Sequence, residues 1–300
     1  MGKERKAGQL RNLIRRGMAL GVSLVLVLGM CSGCGRRSTS TKYLSTGSRT
    51  RRSGSPPVER TAETQVPATE APGMPVSPEP TEKSPLVYED TRAPHYTTSD
   101  PQLETLWFQW ECQDGVGTAR IGLQIDAQMY RYYRGLQRYY DVSSYGKYIN
   151  DTNNRAVVQQ VVKAMRDIAD QLHYDDSAVA REMAQFVQNC IEYEYDSDSA
   201  GQDEYPRYPI ETLYERRGDC EDTSILMAAL LKEWGYEVGF FVLPGHIAVA
   251  LRTSDSYNDG PYYELNGHRY LYIESTGSGW NIGEIPDDVR GSSVKLYLVS

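Results

Sequence analysis

Gly218-Asp219-Cys220-Glu221-Asp222-Thr223-Ser224-Ile225-Leu226-Met227-Ala228-Ala229-Leu230-Leu231-Lys232-Glu233-Trp234-Gly235 is the stretch on which the reading of this chain turns. Asp219 is a good helix N-cap, and Asp222, three residues on, can reach back to complete a capping box. Ile225 to Leu231 is apolar nearly all round, which marks a helix covered on every side rather than one lying on a surface. Gly235 supplies the stop. Cys220 therefore falls in the first turn of a buried helix, where free N–H groups and the positive end of the helix dipole favour a thiolate and offer an oxyanion donor. Asp219, Glu221 and Asp222 act the other way: their negative charge raises the thiol pKa, so an imidazolium partner is needed to keep it ionised.

Downstream the period changes from 3.6 to 2. Tyr236 to Val242 reads as a strand, Pro244-Gly245 turns the chain, and His246-Ile-Ala-Val-Ala-Leu reads as a second strand that opens on the histidine. Ser254 to Pro261 is a polar hairpin loop, and His268 to Ser275 a third strand ending at Glu274. Antiparallel neighbours would bring His246 and Glu274 side by side, facing the helix start. A thiol, an imidazole and a carboxylate at the ends of three elements have the makings of nucleophile, base and orienting group. Taken singly, each has an ordinary role as a core thiol, a loop histidine or a solvated strand end; their order along the chain carries the inference. His268, in Asn-Gly-His-Arg, is the rival histidine, and Asp255, Asp259 or an asparagine are the rival third residues.

This order of helix-borne Cys, strand-borne His and strand-borne acid resembles the transglutaminase-like superfamily, within the papain-like cysteine-protease fold. Gly-Asp-Cys-Glu-Asp before an Ala- and Leu-rich helix, then Gly-Tyr-Glu-Val and a His-Ala-Val-type strand, looks like its bacterial and archaeal branch, over roughly residues 177–286. The resemblance implies an α+β fold with a central Cys-bearing helix packed on an antiparallel sheet that carries His and acid. It also implies a thiol enzyme acting on peptide or carboxamide bonds through Cys220, His246 and Glu274, needing no cofactor, with a peptide or protein as substrate. Relatives carry Asp where Glu274 stands, one methylene shorter. The animal transglutaminases have Trp where Glu221 stands, which weakens a carry-over of cross-linking activity. By resemblance to the prokaryotic branch hydrolysis is the favoured outcome, with amine transfer, or a non-catalytic binding module on the same fold, as alternatives. In the resembled family the segment Tyr205-Pro-Arg-Tyr-Pro-Ile-Glu211 lines the substrate cleft.

The rest of the chain sets the context. The net charge is −8, but residues 1–60 hold 13 basic and 2 acidic residues, so that +11 there leaves −19 for the remainder. Such an acidic body excludes nucleic acid as the expected partner. Met1 to Arg16 carries six basic residues, Gly17 to Met30 is an apolar run, and Cys31-Ser-Gly-Cys34 follows. Residues 1–34 therefore read as a secretory signal with a lipobox-like end, Cys34 being the lipidation candidate; an uncleaved N-terminal anchor is the alternative. Either one places the protein on the extracytoplasmic face of the cell membrane. Residues 35–94, dense in Ser, Thr, Pro and Arg, read as a tether without a core.

Residues 95–148 are expected to be an extension packed on the core, with strands at Leu103–Cys112 and Ala119–Ile125 and a helix at Asp126–Tyr140. Residues 149–300 are expected to form the catalytic domain, opening with helices at Asn154–His173 and Ser177–Tyr193. Cys112, Cys190 and Cys220 are too few for a disulfide scaffold or a zinc site; Cys190 reads as a core thiol, and a Cys112–Cys190 pairing stays open. His95, His173, His246 and His268 lack metal-ligand spacing, so no metal is expected.

Overall fold

The computed structural model describes residues 96–256 and 260–300. The signal segment, Cys34, the tether, His95 and Asp259 lie outside the described residues. Strands β1 (Leu103–Glu111) and β2 (Thr118–Asp126) form an antiparallel hairpin, with Phe108 opposite Ile121 and Trp110 opposite Ala119. Helix α1 (Ala127–Arg134) follows directly, capped by the Asp126 carboxylate. It is shorter than the expected Asp126–Tyr140 because Gly135 ends it, and Arg138 then turns inward to pair with Glu211 at 2.8 Å. A short turn, α2 (Gly146–Ile149), leads to α3 (Thr152–Leu172), whose Val157, Val161, Met165 and Ile168 make the expected buried stripe.

Helix α4 (Asp176–Cys190) stops three residues before the expected end at Tyr193. Ile191 goes extended, and Glu192–Tyr193 forms β3, which pairs in parallel with β4 (Arg217–Gly218). The exchange is favourable because the Glu192 N–H reaches Arg216 O at 2.9 Å and the Glu194 N–H reaches Gly218 O at 3.0 Å. This small ladder ties the end of α4 to the chain just before Cys220. Between them lie the single turn α5 (Asp196–Ser199) and α6 (Pro209–Glu215), which has Pro at its start.

Helix α7 (Cys220–Trp234) is the centre of the molecule. Residues 225–231 are all at most 3% exposed, because α3, α4, α6 and the main sheet cover the helix around its circumference. Truncating Leu226 or Leu230 to Ala there should cost about 2–5 kcal/mol, as cavities in rigid cores do. The sheet is antiparallel with order β7-β8-β6-β5-β9, formed by β5 (Val238–Leu243), β6 (His246–Thr253), β7 (Tyr263–Leu265), β8 (His268–Ile273) and β9 (Lys295–Leu298). Its two-residue period divides the side chains. Phe240, Val249, Leu271 and Ile273 face α7, while Phe241, Ala250, Tyr270 and Tyr272 form a second core on the far face.

Besides β3 and β4, two strands of the main sheet are additions to the sequence reading. β7 joins β8 through Asn266-Gly267, both at positive φ, so His268 is the first residue of a strand rather than part of the turn. β9 brings the C-terminal segment back along β5. The main core also contains Phe108, Trp110, Ile121, Leu123 and Ile125 of the first hairpin, so that hairpin and α7 share one apolar interior.

Candidate active site

The Asp219 carboxylate accepts the N–H groups of Glu221 (3.2 Å) and Asp222 (3.5 Å), and Asp222 accepts the Asp219 N–H at 3.3 Å, so the expected capping box is present. This leaves the Cys220 N–H, one residue earlier, outside the cap. Gly218 is required by close approach: a Cβ there would lie 2.5 Å from the Asp222 Cβ. Cys220 is 8% exposed, and the Ile247 N–H lies against its sulfur, placing the thiol beside the start of β6.

His246 opens β6, and Glu274 is the first residue beyond β8. His246 Nε2 lies 2.9 Å from Glu274 Oε2. Glu274 is 2% exposed and is gripped by further donors: Tyr272 OH at 2.9 Å, the N–H groups of Ser275 and Thr276 at 3.0 Å each, and Thr276 Oγ1 at 2.6 Å. Burial alone would raise this carboxyl, but the bonds from His246 and Thr276 and the imidazole charge hold it down at about 2. An ionised carboxylate only accepts, so Nε2 carries the proton and Nδ1 is the nitrogen left free to act as a base. Burial lowers His246, yet the Glu274 bond and charge, with Asp288 and Glu221 adding to them, leave it raised overall.

Hydroxyls that the sequence reading did not single out lock these pieces together. Ser275 Oγ lies 2.9 Å from Thr223 Oγ1 and 3.1 Å from Ser224 Oγ, and the Ser224 hydroxyl donates to Ile247 O at 3.3 Å. Thr223-Ser224 in an otherwise apolar helix, and Ser275 directly after the acid, are the only traces of this in the sequence. Together they pin the helix start to the histidine strand and to the acid.

The thiol itself is not poised as a thiolate. Its hydrogen-bond partner is Glu221 Oε2 at 2.9 Å, and burial first, then Glu221 and Asp219, push its pKa up. Asp219 is raised to about 9 by burial and by Asp222 and Glu221, so the rim carries less charge at neutral pH than its three acidic residues suggest. Asp222 contributes little to the thiol because it turns inward.

There it meets Arg207, which is fully buried and donates to Asp196 at 2.6 Å, to Asp222, to Glu215 at 3.3 Å and to Ser199 at 2.8 Å. The two sides of the pair pull in opposite senses. Burial raises Asp222 against the pull of Arg207, whereas Arg207, despite its own burial, is held protonated by Asp222, Asp196 and Glu215. The ionised Asp222 is the form its donors fit, since Arg207 reaches it through the guanidinium and through its backbone N–H at 2.6 Å. Asp196, Asp219 and Asp222 are the group with metal-like spacing among the described residues, but the cation already beside two of them is this guanidinium.

The segment Tyr205 to Ile210 is buried against the start of α7, whereas the resemblance implied that it lines the substrate cleft. Cys112, Cys190 and Cys220 are all free thiols, and Cys190 is half-buried at the end of α4 rather than deep in the core. His268 lies far along β8 from this cluster, beside Asp255 and Arg252.

No curated protein matches the chain. A family profile described as "Transglutaminase-like superfamily" matches residues 162–246, a span that runs from α3 through Cys220 to His246 and leaves Glu274 beyond its end. The match is confined to residues 162–246, and the mixed α+β architecture with its curled antiparallel sheet is consistent with a transglutaminase-like domain there.

Proposed function

We propose that the protein is a thiol hydrolase, a protease or amidase, that cleaves peptide or carboxamide bonds with Cys220 as nucleophile, His246 as base and Glu274 as its orienting acid. The observation that carries this reading is the partly buried His246–Glu274 pair, whose histidine is on the strand where the Ile247 N–H lies against the Cys220 sulfur. In the proposed cycle the thiol turns from Glu221 toward His246 Nδ1 and gives up its proton there. The thiolate adds to the substrate carbonyl, and the Cys220 N–H meets the developing oxyanion. The imidazolium, steadied through Nε2 by Glu274, protonates the leaving amine, and a thioester remains. Water, deprotonated by the same imidazole, attacks the thioester; the acid leaves and the thiol is restored. An amine in place of water would give amide transfer instead.

The second reading, a binding module without chemistry, is favoured by one observation: the neutral thiol bonded to Glu221. Alkylation by iodoacetamide against pH separates the two. In the hydrolase Cys220 reacts well below about pH 8.5, the ordinary thiol value, and His246→Ala removes that reactivity. Labelling of Cys220 that is absent below that pH, or indifferent to His246→Ala, favours the binding module. Cys112 and Cys190 serve as internal controls, since burial pushes both up to about 12.

We propose further that this chemistry sits on the extracytoplasmic membrane face, tethered through Cys34 or, alternatively, by an uncleaved N-terminal anchor; the support is the basic, then apolar, then lipobox-like order of residues 1–34. Cys34→Ser should abolish metabolic lipid labelling and move the protein to the soluble fraction; labelling that survives the change assigns the anchor elsewhere.

A further inference from the structure

A cleft of about 510 Å³ lies between the end of α4, the β3–β4 ladder and the loop after Glu274. Gln188, Cys190, Tyr193, Arg216, Thr276 and Gly277 are on its walls. Two of these connect it to the reaction centre. Tyr193 pairs in register with Gly218, two residues before Cys220, and its hydroxyl feels the Cys220 and Asp219 charges. Thr276 gives Glu274 two of its hydrogen bonds.

Two wall residues have bonding capacity left over. Gln188 is only 5% exposed, and its Nε2 donates to two carbonyls, Glu274 O at 2.7 Å and Trp280 O at 3.3 Å. Those acceptors fix the amide orientation, because a flipped amide would set oxygen against oxygen. Gln188 Oε1 is thereby left as a buried acceptor with no donor, a costly state unless something supplies an N–H. Arg216 is the second. It sits at φ +57 in the left-handed region, is exposed, and has its guanidinium carbon 5.0 Å from the Phe108 ring centroid. Among the described residues it pairs with no carboxylate, Glu192 on the same cleft included, whereas its neighbour Arg217 and the buried Arg207 each hold carboxylates. In a body carrying −19, an arginine left unpaired in a cleft stands out.

We propose that this cleft binds the substrate on one side of the bond attacked, selecting peptides with a side-chain or terminal carboxylate that pairs with Arg216 while a substrate N–H satisfies Gln188 Oε1. This rests on the hydrolase reading for the bond attacked, but not for the binding itself. Arg216 is four residues from Cys220, a reach of at most about 14 Å along an extended chain, so the carboxylate lies within about four residues of that bond. A guanidinium–carboxylate pair is bidentate and charge-assisted, which makes Glu or Asp at that position, rather than Gln or Lys, the preferred residue.

The test is equilibrium binding to the full chain bearing Cys220→Ala, which binds without turnover. Fluorescent Ala-rich peptides with one Glu scanned through the positions flanking a central Gln are compared with the same peptides carrying Gln or Lys instead. The expected result is one position where Glu binds on the order of 10-fold tighter than Gln, and Lys weaker than both. Arg216→Glu should reverse that order, and Arg216→Gln should flatten it; unchanged melting of both variants shows that the fold is kept. Equal binding of all peptides, no binding of any, or a Glu preference that survives Arg216→Glu each overturns the proposal. Failure of the hydrolase reading shows separately, as absent Cys220 alkylation in the wild-type chain while peptide binding persists.

Discussion

Among the described residues there are two histidine–carboxylate pairs, and they have little else in common. His246 and Glu274 lie 2.9 Å apart with side chains 19% and 2% exposed; His268 and Asp255 lie 3.2 Å apart with side chains 50% and 52% exposed. Glu274 is fixed by donors from Tyr272, Ser275 and Thr276, so its position does not depend on the imidazole. Asp255 shares its oxygen with Arg252 at 2.8 Å, and Arg252 also donates to His268 Nδ1 at 2.7 Å. A nitrogen that accepts from a guanidinium cannot also donate to Asp255. The comparison teaches that a short distance between imidazole and carboxylate is not what makes a candidate base. What does is a carboxylate held independently and out of water, which fixes the proton on one ring nitrogen and leaves the other free to act as a base.

The hardest test of this contrast is deletion. Cys220→Ala and His246→Ala should each take turnover of a peptide substrate below detection, and the double variant should be no worse than either, because the pair acts as a unit. His268→Ala should leave turnover and stability essentially unchanged, within about 0.5 kcal/mol for an exposed side chain. Steady-state kinetics on these four variants decides it: activity that persists in His246→Ala and vanishes in His268→Ala inverts the comparison.

Glu274→Gln is next in size. The amide keeps the shape but removes the charge that fixes the tautomer, so turnover should fall on the order of 10²- to 10⁴-fold. The pair also has a stability signature. Glu274, held at about 2 in the fold, stabilises fully above its unfolded value of about 4.3, and this is lost as pH falls toward 2. His246 is raised, so its contribution is complete below about pH 6.5 and disappears as pH climbs through its folded value. Urea unfolding of the wild type and Glu274→Gln should therefore differ most between those limits; the difference should vanish toward pH 2, and above the folded value of His246 it should shrink to what Tyr272, Ser275 and Thr276 still give the carboxylate. A constant difference across the whole range would show that the pair is not coupled to titration.

How much of this was legible in the sequence differs from element to element, for physical reasons. The Cys220 helix was readable because its cap, its apolar run and its terminal glycine are all local. His246 was readable because Pro244-Gly245 marks the strand start. Glu274 could be placed at a strand end, but its preference over Asp255 came only from topology: β6 pairs with β8 so that Val249 faces Ile273. Arg207 left no local trace, since its partners Asp196 and Asp222 are 11 and 15 residues away. The early end of α4 was missed because Glu192 and Tyr193 fit a helix equally well, and only hydrogen bonds to Arg216 and Gly218 draw them into a strand. β9 was missed because it has no period of its own and is defined by lying along β5.

Arg207 extends the comparison to a buried ion pair that takes no part in the chemistry. Arg207→Met should destabilise the protein by about 3–5 kcal/mol, because Asp196 and Asp222 are left buried without their cation. Denaturant titration reads this directly. A loss under about 1 kcal/mol would mean that those carboxyls simply take up protons and that the network is dispensable.

The smallest effect concerns Glu221, the carboxylate that His246 does not hold. Its Oε2 accepts from the Cys220 thiol at 2.9 Å, and its charge comes second only to burial in raising that thiol. Groups from every neighbouring element face the same spot: Asp219 on the cap, Tyr193 on β3, Glu204 before α6, Tyr145 before α2, and His246 on β6. His246 is the one among them able to offset negative charge, so Glu221 acts as a brake on the thiolate that the imidazolium must overcome. Glu221→Gln keeps the hydrogen-bond acceptor and deletes the charge. Alkylation of Cys220 at pH 8 should then rise on the order of 3- to 10-fold, with the whole profile moved to lower pH. Asp219→Asn should move it less, because Asp219 is itself raised to about 9 and carries little charge at that pH. If Glu221→Gln leaves the profile where it was, burial alone sets the thiol. The contrast between the buried and the exposed histidine would then rest on geometry, without help from local charge.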